Sequence, residues 1–437
     1  MFNNCAWLDN FPCVNYSGDT AIIINPDTGS ISRIHAIDTL RGFALLGILL
    51  VNIQSFAMIN AAFHNPAAYG DLGGWNYWVW FYTFSLVDSK FLAIFSMLFG
   101  VSMLLIHQHY ASMGIENVIH YQKRRFAVLM AIGLVHAYLL WPGDILVSYG
   151  LCGLLLLPVV QMKLTPRMLI VSGILLLSIP SLNMLGSVTS PDLLDAEEKA
   201  QLIEQWRPSP SSYQAELAAY RGHWWVQQNQ RAQEAFSVHV QNLPLTLIWR
   251  VGGLMLIGMA LFKLGIVNGA RSARFYRYMT LVGIGLGAPL MFYNSQNWAN
   301  TQWSLSYYET IAFQVNYWGG LLLAGGYLGL IMYLCRSGCL FWFNKLLAQV
   351  GRMALSNYLL QTLLCSLVFY GHGLGLFGKL ERTEQLIVVG LVWLINLAFS
   401  NIWLKYYRHG PLEFVWRKLC EGELKKPTQK PVVTDIH

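Results

Sequence analysis

The chain has 437 residues, 55% of them hydrophobic and 12% charged, with a mean hydropathy of +0.42. Soluble domains carry roughly 25% charged residues, so this balance excludes an ordinary soluble enzyme and describes a polytopic membrane protein with the lipid bilayer as its partner. The net charge of +7 does not describe a nucleic-acid binder, because the basic residues are scattered between apolar segments and gathered at the C-terminus instead of forming an interleaved patch.

Residues 1–33 are polar, punctuated by Asn, Asp, Gly and Ser, and read as a poorly structured tail without a removable signal peptide. The first apolar segment, 34–59, exceeds the roughly 20 residues a bilayer requires and carries Asp38 and Arg41 near its start. Residues three apart share a helix face. That face cannot look at lipid, so it looks into a protein interior, a headgroup layer or a water-filled cavity. A loop without Lys or Arg follows and contains His64. The second segment, 77–106, is too long for one straight span and is interrupted by Asp88, Ser89 and Lys90. It is tilted, broken there, or preceded by an interfacial aromatic stretch, WNYWVWFYTF.

The next loop ends in QKRR at 122–125. A third segment (125–141) and a fourth (144–160) are joined by Pro142 and Gly143, a turn signal that predicts an antiparallel hairpin. A fifth covers 166–185. Residues 189–244 form the one sizeable polar region and read as a small helical insertion outside the membrane, expected in the periplasm. Apolar segments at 245–264, 276–293, 311–334, 346–370 and 385–406 bring the total to about ten. The fold class is therefore all-α, a transmembrane bundle of about ten helices with a helical extramembrane insertion. It divides into a tail (1–33), an N-terminal membrane core with the candidate site (34–188), the insertion (189–244), a C-terminal membrane region (245–418) and a second tail (419–437). Lys and Arg concentrate in loops that lie inside if the N-terminus is cytoplasmic, which predicts both termini in the cytoplasm.

Glycine-rich runs such as GGLMLIG and GIGLGA suit close helix packing. The absence of Walker, HExxH and GxSxG sequences excludes those enzyme classes in their usual form. The seven cysteines avoid the long polar loop, so no disulfide framework is expected. Cys335 and Cys339 lack nearby partners for the four ligands zinc usually takes, and no metal site is expected.

Ionisable residues within membrane segments are costly and therefore informative: Asp38, Arg41, Asp88, Lys90, His136, Asp144 and Arg250. Arg41 either pairs with Asp38 at the interface or holds a phosphate or carboxylate in its guanidinium fork. His136 lies eleven residues beyond Arg125, roughly 16 Å at the helical rise, and Asp144 follows across the Pro-Gly turn. A histidine oriented by a carboxylate is a candidate general base; a buried histidine bonded to a backbone carbonyl is the alternative. Lys90 either neutralises a carboxylate or attracts an anionic substrate group. Arg352, Ser356, Asn357 and Gln361 lie along one C-terminal helix, where Asn357 and Gln361 share a face suited to substrate binding or to interhelical hydrogen bonding.

The strings DTLRGFALLGILLVNI, KFLAIFSMLFG, GLVHAYLLWPGDILVSYGL, GRMALSNYLLQTLLCSLVFY and FSNIWLKYYRHGPLEFVWR resemble the YeiB-like family of bacterial inner-membrane proteins over about 34–418. More distantly, the family is similar to the transmembrane acyltransferase superfamily, which includes the lysosomal heparan-α-glucosaminide N-acetyltransferase. The resemblance implies an acyl donor, acetyl-CoA or another acyl-CoA, that enters from the cytoplasmic side as a substrate and not as a tightly bound cofactor. An acceptor is then acylated on the far side. It places Asp38 and Arg41 in the donor pocket or its frame and Lys90 on the second core helix. In the lysosomal relative the essential histidine precedes that helix, whereas none stands here between Asn65 and Val101; His136, or alternatively His64, takes the role. The resulting expectation is a membrane acyltransferase acting on a hydroxyl or amine of a carbohydrate or envelope molecule. His136 and Asp144 are its catalytic pair, and Asp38, Arg41, Lys90, Arg352, Asn357 and Gln361 are its binding residues. The alternative is a transporter or exporter of a small anionic solute, although the internal repeats common in transporters are not visible. A receptor or scaffold acting through the insertion is the third reading.

Overall fold

A computed structural model describes residues 35–114, 117–189, 195–338 and 340–420, and among them no strand occurs. The expected tail at 1–33, nearly all of the second tail and Cys339 lie outside the described residues.

In chain order, α1 (His35–Ala57) precedes the short α2 (Asn60–His64) and the aromatic α3 (Gly74–Tyr82). A π-helical turn (Thr83–Val87) then leads to α4 (Lys90–Ser112). Next come α5 (Val118–Leu139), α6 (Leu146–Leu155), α7 (Leu157–Gln161) and α8 (Pro166–Thr189). The insertion holds α9 (Ala196–Trp206), α10 (Pro210–Arg221) and α11 (Trp224–Ser237). A second π-helical stretch (Val238–Leu247) joins it to α12 (Ile248–Lys263). The chain continues through α13 (Ala273–Asn300), α14 (Leu305–Tyr307) and α15 (Gly320–Ser337). It ends with α16 (Phe341–Arg352), α17 (Ala354–Phe369), α18 (Arg382–Tyr406) and the amphipathic α19 (Pro411–Cys420).

Among the described residues, 6 helical stretches are long and apolar enough to cross a membrane. The remaining expected segments are helical but fall short for local reasons. The first turns of α5 carry Lys123, Arg124 and Arg125, α13 begins with Arg274 and Arg277, and α6 and α17 are only 10 and 16 residues long. Burial orders the bundle: 67% of the apolar window of α1 is buried, against 28% for α8 and 22% for α18. The helix with Asp38 and Arg41 is thus the axis, and α8 and α18, whose charges stand only near their ends, present their apolar sides outward, as a bilayer rewards.

Around α1 pack α4, α16, α17 and α18, while α12 is wedged between α4 and α8. Small residues permit these approaches. A Cβ at Gly258 of α12 would lie 2.0 Å from the Met97 carbonyl oxygen, and one at Gly100 of α4 would lie 2.1 Å from that of Met255. The same holds for α1 and α16, where Gly42 faces the Leu347 carbonyl and Gly351 the Asp38 carbonyl, each at 1.9 Å. Backbone contact of this kind replaces the hydrophobic driving force that lipid removes.

The second apolar segment is broken, as one of its expected readings had it: Ser89 takes a left-handed conformation (φ 71°) between the π turn and α4. The insertion is helical, as expected, and contains three helices: Ser209 and Pro210 start α10, and Gly222 separates it from α11.

Gly258→Ala is expected to destabilise the protein by about 1–3 kcal/mol, the usual cost of overpacking. Gly390→Ala, where nothing lies within 4 Å of the added Cβ, should be neutral or slightly stabilising. Thermal melting in detergent checks this; equal melting temperatures for the two variants would contradict the close α4–α12 contact.

Candidate functional site

The hairpin of α5 and α6 places His136 in the last turn of α5 and Asp144 just beyond the Pro142–Gly143 turn. Their side chains meet: His136 Nδ1 lies 2.6 Å from Asp144 Oδ2, and the other oxygen, Oδ1, accepts the Val147 N–H at 2.9 Å. His136 is 0% exposed. Gly133 makes the pairing sterically accessible, since a Cβ there would stand 2.9 Å from Asp144 Oδ1 and 2.6 Å from Val147 N. On the other edge of the ring, His136 Nε2 is 3.0 Å from Thr362 Oγ1 of α17. A carboxylate only accepts, so Nδ1 carries the proton and Nε2 is left to accept the Thr362 hydroxyl.

A chamber of about 560 Å³ lies at the end of the bundle where α1 and α5 begin and α4 ends, lined by Asp38, Arg41, His109, Tyr121, Arg125, His409, Glu413, Trp416 and Arg417. A second chamber of about 340 Å³ shares Arg41, Arg125, Glu413 and Trp416 with it. Its own walls are mainly apolar, with Phe95, Phe99, Phe126, Leu129, Ile145 and Tyr149, joined by Arg352 and Tyr358. Arg41 Nη1 is 3.1 Å from Asp38 Oδ1, and its Nη2 donates to Ser102 Oγ at 2.9 Å. Arg125 stacks over Trp416 with its guanidinium carbon 4.5 Å from the ring centre, and Trp416 Nε1 donates to the Arg125 carbonyl at 2.9 Å. Glu413 caps the start of α17, accepting the N–H groups of Leu355 and Ser356 at 2.8 and 3.1 Å and the Ser356 hydroxyl. Burial raises the Glu413 carboxyl above its usual range against the pull of these donors. Arginines and histidines outnumber carboxylates in the walls, which suits a polyanionic group.

Tyr358 links the chambers to the His–Asp pair. It lines the apolar chamber, is 4% exposed, and its ring centre is 5.1 Å from that of His136. Its hydroxyl lies near the Ile145 N–H and donates to no group among the described residues.

Arg352 also joins the apolar chamber, donating to the Arg408 carbonyl at 3.2 Å. Asn357 and Gln361 face elsewhere: Asn357 Nδ2 donates to Ser400 Oγ at 2.7 Å, Asn396 Nδ2 donates to Asn357 Oδ1 at 2.9 Å, and Gln361 Nε2 donates to Asn396 Oδ1 at 3.3 Å. They join α17 to α18. Lys90, 0% exposed, donates to the Phe84 carbonyl at 3.0 Å and to Asn316 Oδ1 at 2.5 Å, and Asn316 Nδ2 reaches Asp88 Oδ2 at 2.7 Å. His64 is an exposed residue at the end of α2. None of Lys90, Asn357, Gln361 and His64 lines either chamber. Arg125, Tyr358, Thr362, Glu413 and Trp416 went unnoticed in the sequence. Arg125 was hidden in a basic loop end that reads as a topology signal, although its spacing from His136 along one helix was visible.

The insertion covers the hairpin end. Gln228 Nε2 of α11 donates to the Tyr138 carbonyl at 2.7 Å, and Tyr138 stacks on His239 with ring centres 5.6 Å apart. Further along, Arg221 Nε donates to the Phe377 carbonyl at 2.8 Å, and Glu216 Oε1 accepts the Asn60 N–H at 2.7 Å.

A family profile described as "Protein of unknown function (DUF418)" matches residues 261–423. The chain is 34% identical over 393 residues to "Uncharacterized protein YeiB" of Escherichia coli (strain K12), covering 88% of this chain and 95% of that relative. It is 28% identical over 411 residues to "Uncharacterized protein YxaH" of Bacillus subtilis (strain 168), covering 88% and 93%. No solved structure matches the chain.

Burial and the nearby Glu234 carboxylate raise the pKa of Glu216 to about 7. The folded chain then keeps a proton that the unfolded chain releases near its ordinary value of 4.5, so stability falls as pH rises from there to about 7 and is level above it. Glu216→Gln should flatten that decline in melting temperature; parallel curves for the variant and the parent would contradict the assignment.

Proposed function

The chain belongs to the YeiB-like family of membrane proteins, and on that premise we propose that it is an acyltransferase of the bacterial inner membrane. It moves an acyl group from a cytoplasmic acyl-CoA to a hydroxyl or amine of a carbohydrate or envelope molecule. The observation that supports this reading is the pair of chambers with shared walls, one lined by Arg41, Arg125 and Arg417 and the other by Tyr358, the residue packed against the buried His136–Asp144 pair. The Lys and Arg bias, which puts both termini in the cytoplasm, turns the basic chamber toward the donor and the insertion toward the acceptor.

In this reading the guanidinium groups hold the phosphates of the donor, and the apolar chamber takes its slender arm. The thioester is delivered toward Tyr358. Asp144 fixes the His136 tautomer with Nδ1 protonated, so that Nε2 takes the proton from the attacking group, a contribution of roughly 10²- to 10⁴-fold. His136 lies eleven residues beyond Arg125, about 16 Å along the helix, which is comparable with the length of a coenzyme A arm.

Titration calorimetry of the detergent-purified chain with acetyl-CoA and with CoA tests the donor site. Saturable binding is expected, weakened about 10- to 100-fold in Arg41→Ala or Arg125→Ala by loss of a charged hydrogen bond. His136→Ala should bind the donor normally yet fail to transfer label from radiolabelled acetyl-CoA to envelope glycans in membrane vesicles. Absence of binding by the folded parent chain would end the acyltransferase reading and favour transport of a small anionic solute.

A further inference from the structure

Thr362, His136 and Asp144 form a nucleophile, base and orienting acid in series, with contacts of 3.0 and 2.6 Å. The polarity is right for catalysis. Asp144 accepts from Nδ1, Nε2 accepts from Thr362, and the threonine oxygen is left as the group that becomes more nucleophilic when the proton moves. The Thr362 hydroxyl has a second contact, the Tyr358 carbonyl at 3.4 Å, but the histidine is nearer. One turn earlier on the same helix stands Tyr358, a residue that lines the apolar chamber and whose buried hydroxyl donates to no group among the described residues. A buried hydroxyl with an unmatched hydrogen carries a cost that a new acceptor removes.

We infer that Thr362 is the acyl-accepting nucleophile, so that transfer runs in two halves through an acyl-threonine. The inference rests on the acyltransferase reading and specifies its chemistry. In the first half Thr362 Oγ1 attacks the thioester carbonyl and its proton passes to His136 Nε2. A C–O bond forms, the C–S bond breaks, and the departing thiolate takes the proton from His136. The Tyr358 hydroxyl donates to the carbonyl oxygen while that oxygen carries negative charge. In the second half the acceptor hydroxyl or amine attacks the threonine ester and gives its proton to His136, which returns it to Thr362 Oγ1 as the ester bond breaks. Thr362 itself lines neither chamber; it contacts His136 of the hairpin one turn from the chamber residue Tyr358, and on this route the acyl group crosses without both substrates sharing one cavity.

The test is to incubate the full-length chain with isotopically labelled acetyl-CoA and no acceptor, quench in acid, and map the label by peptide mass spectrometry. The expected result is close to one acetyl group per chain on the peptide containing Thr362. Thr362→Ser should retain it. Thr362→Val, which keeps the shape and removes the hydroxyl, should lose it while binding acetyl-CoA within about twofold of the parent by calorimetry. Tyr358→Phe should form the ester about 10²- to 10³-fold more slowly. A parent chain that binds the donor and labels the acceptor but forms no threonine ester overturns the inference and leaves the acyltransferase reading standing. Full transfer by Thr362→Val does the same. A parent chain that neither binds nor transfers overturns both.

Discussion

The structure depends on accommodating the carboxyl group of Asp144 inside an apolar bundle. An unpaired charge there costs several kcal/mol, and only groups held in place by the backbone offset it reliably. The Val147 N–H at the start of α6 supplies one donor and His136 the other, which fixes the register of the α5–α6 hairpin. That register in turn needs Gly133 at the crossing and a partner for the far nitrogen of the imidazole, which brings α17 into contact through Thr362. Three helices are thus positioned by one buried acid.

Buried polar groups in this bundle fall into two kinds, and the difference separates architecture from candidate chemistry. Asn357, Asn396 and Ser400 bond one another across α17 and α18, the interhelical hydrogen bonding that membrane proteins use as glue. Lys90 is equally self-contained, and its placement explains the break in the second segment. The π turn and the left-handed Ser89 release helical carbonyls, and one of them, that of Phe84, receives the Lys90 ammonium. Asn316 then carries the contact on to Asp88. An irregular backbone in a membrane is tolerated when side chains satisfy what it frees. Tyr358 is of the other kind: the residue lines a cavity, and its hydroxyl donates to no group among the described residues.

Much of the fold was legible because membrane helices announce themselves by length and apolarity, and the hairpin because Pro142 and Gly143 interrupt two such runs. The His136–Asp144 pair was legible for the same reason: two ionisable residues on either side of a tight turn have few places to go except together. Thr362 was not, because threonine is common in apolar helices and only a third element brings it to the imidazole. The arginines of the basic chamber come from α1, α5 and α19, far apart in sequence, and each alone resembles a charge placed to set topology. Asn357 and Gln361, four apart, showed a shared polar face, but spacing cannot say whether a cavity or a neighbouring helix meets it. Here α18 meets it.

The insertion adds a constraint of its own. It is anchored at both ends of its contact surface, by Gln228 to the Tyr138 carbonyl near the hairpin turn and by Arg221 to the Phe377 carbonyl beyond α17. Tyr138 lies on α5, the helix that contributes His136, and Phe377 lies eight residues past the end of α17, the helix that contributes Thr362. The insertion therefore bonds to the hairpin and to the loop after α17, next to the two helices whose 3.0 Å contact joins imidazole and hydroxyl. The His136–Asp144 pair is thus enclosed by the hydrogen-bonded insertion on one side and by the Tyr358 ring, 5.1 Å from the imidazole, on the other.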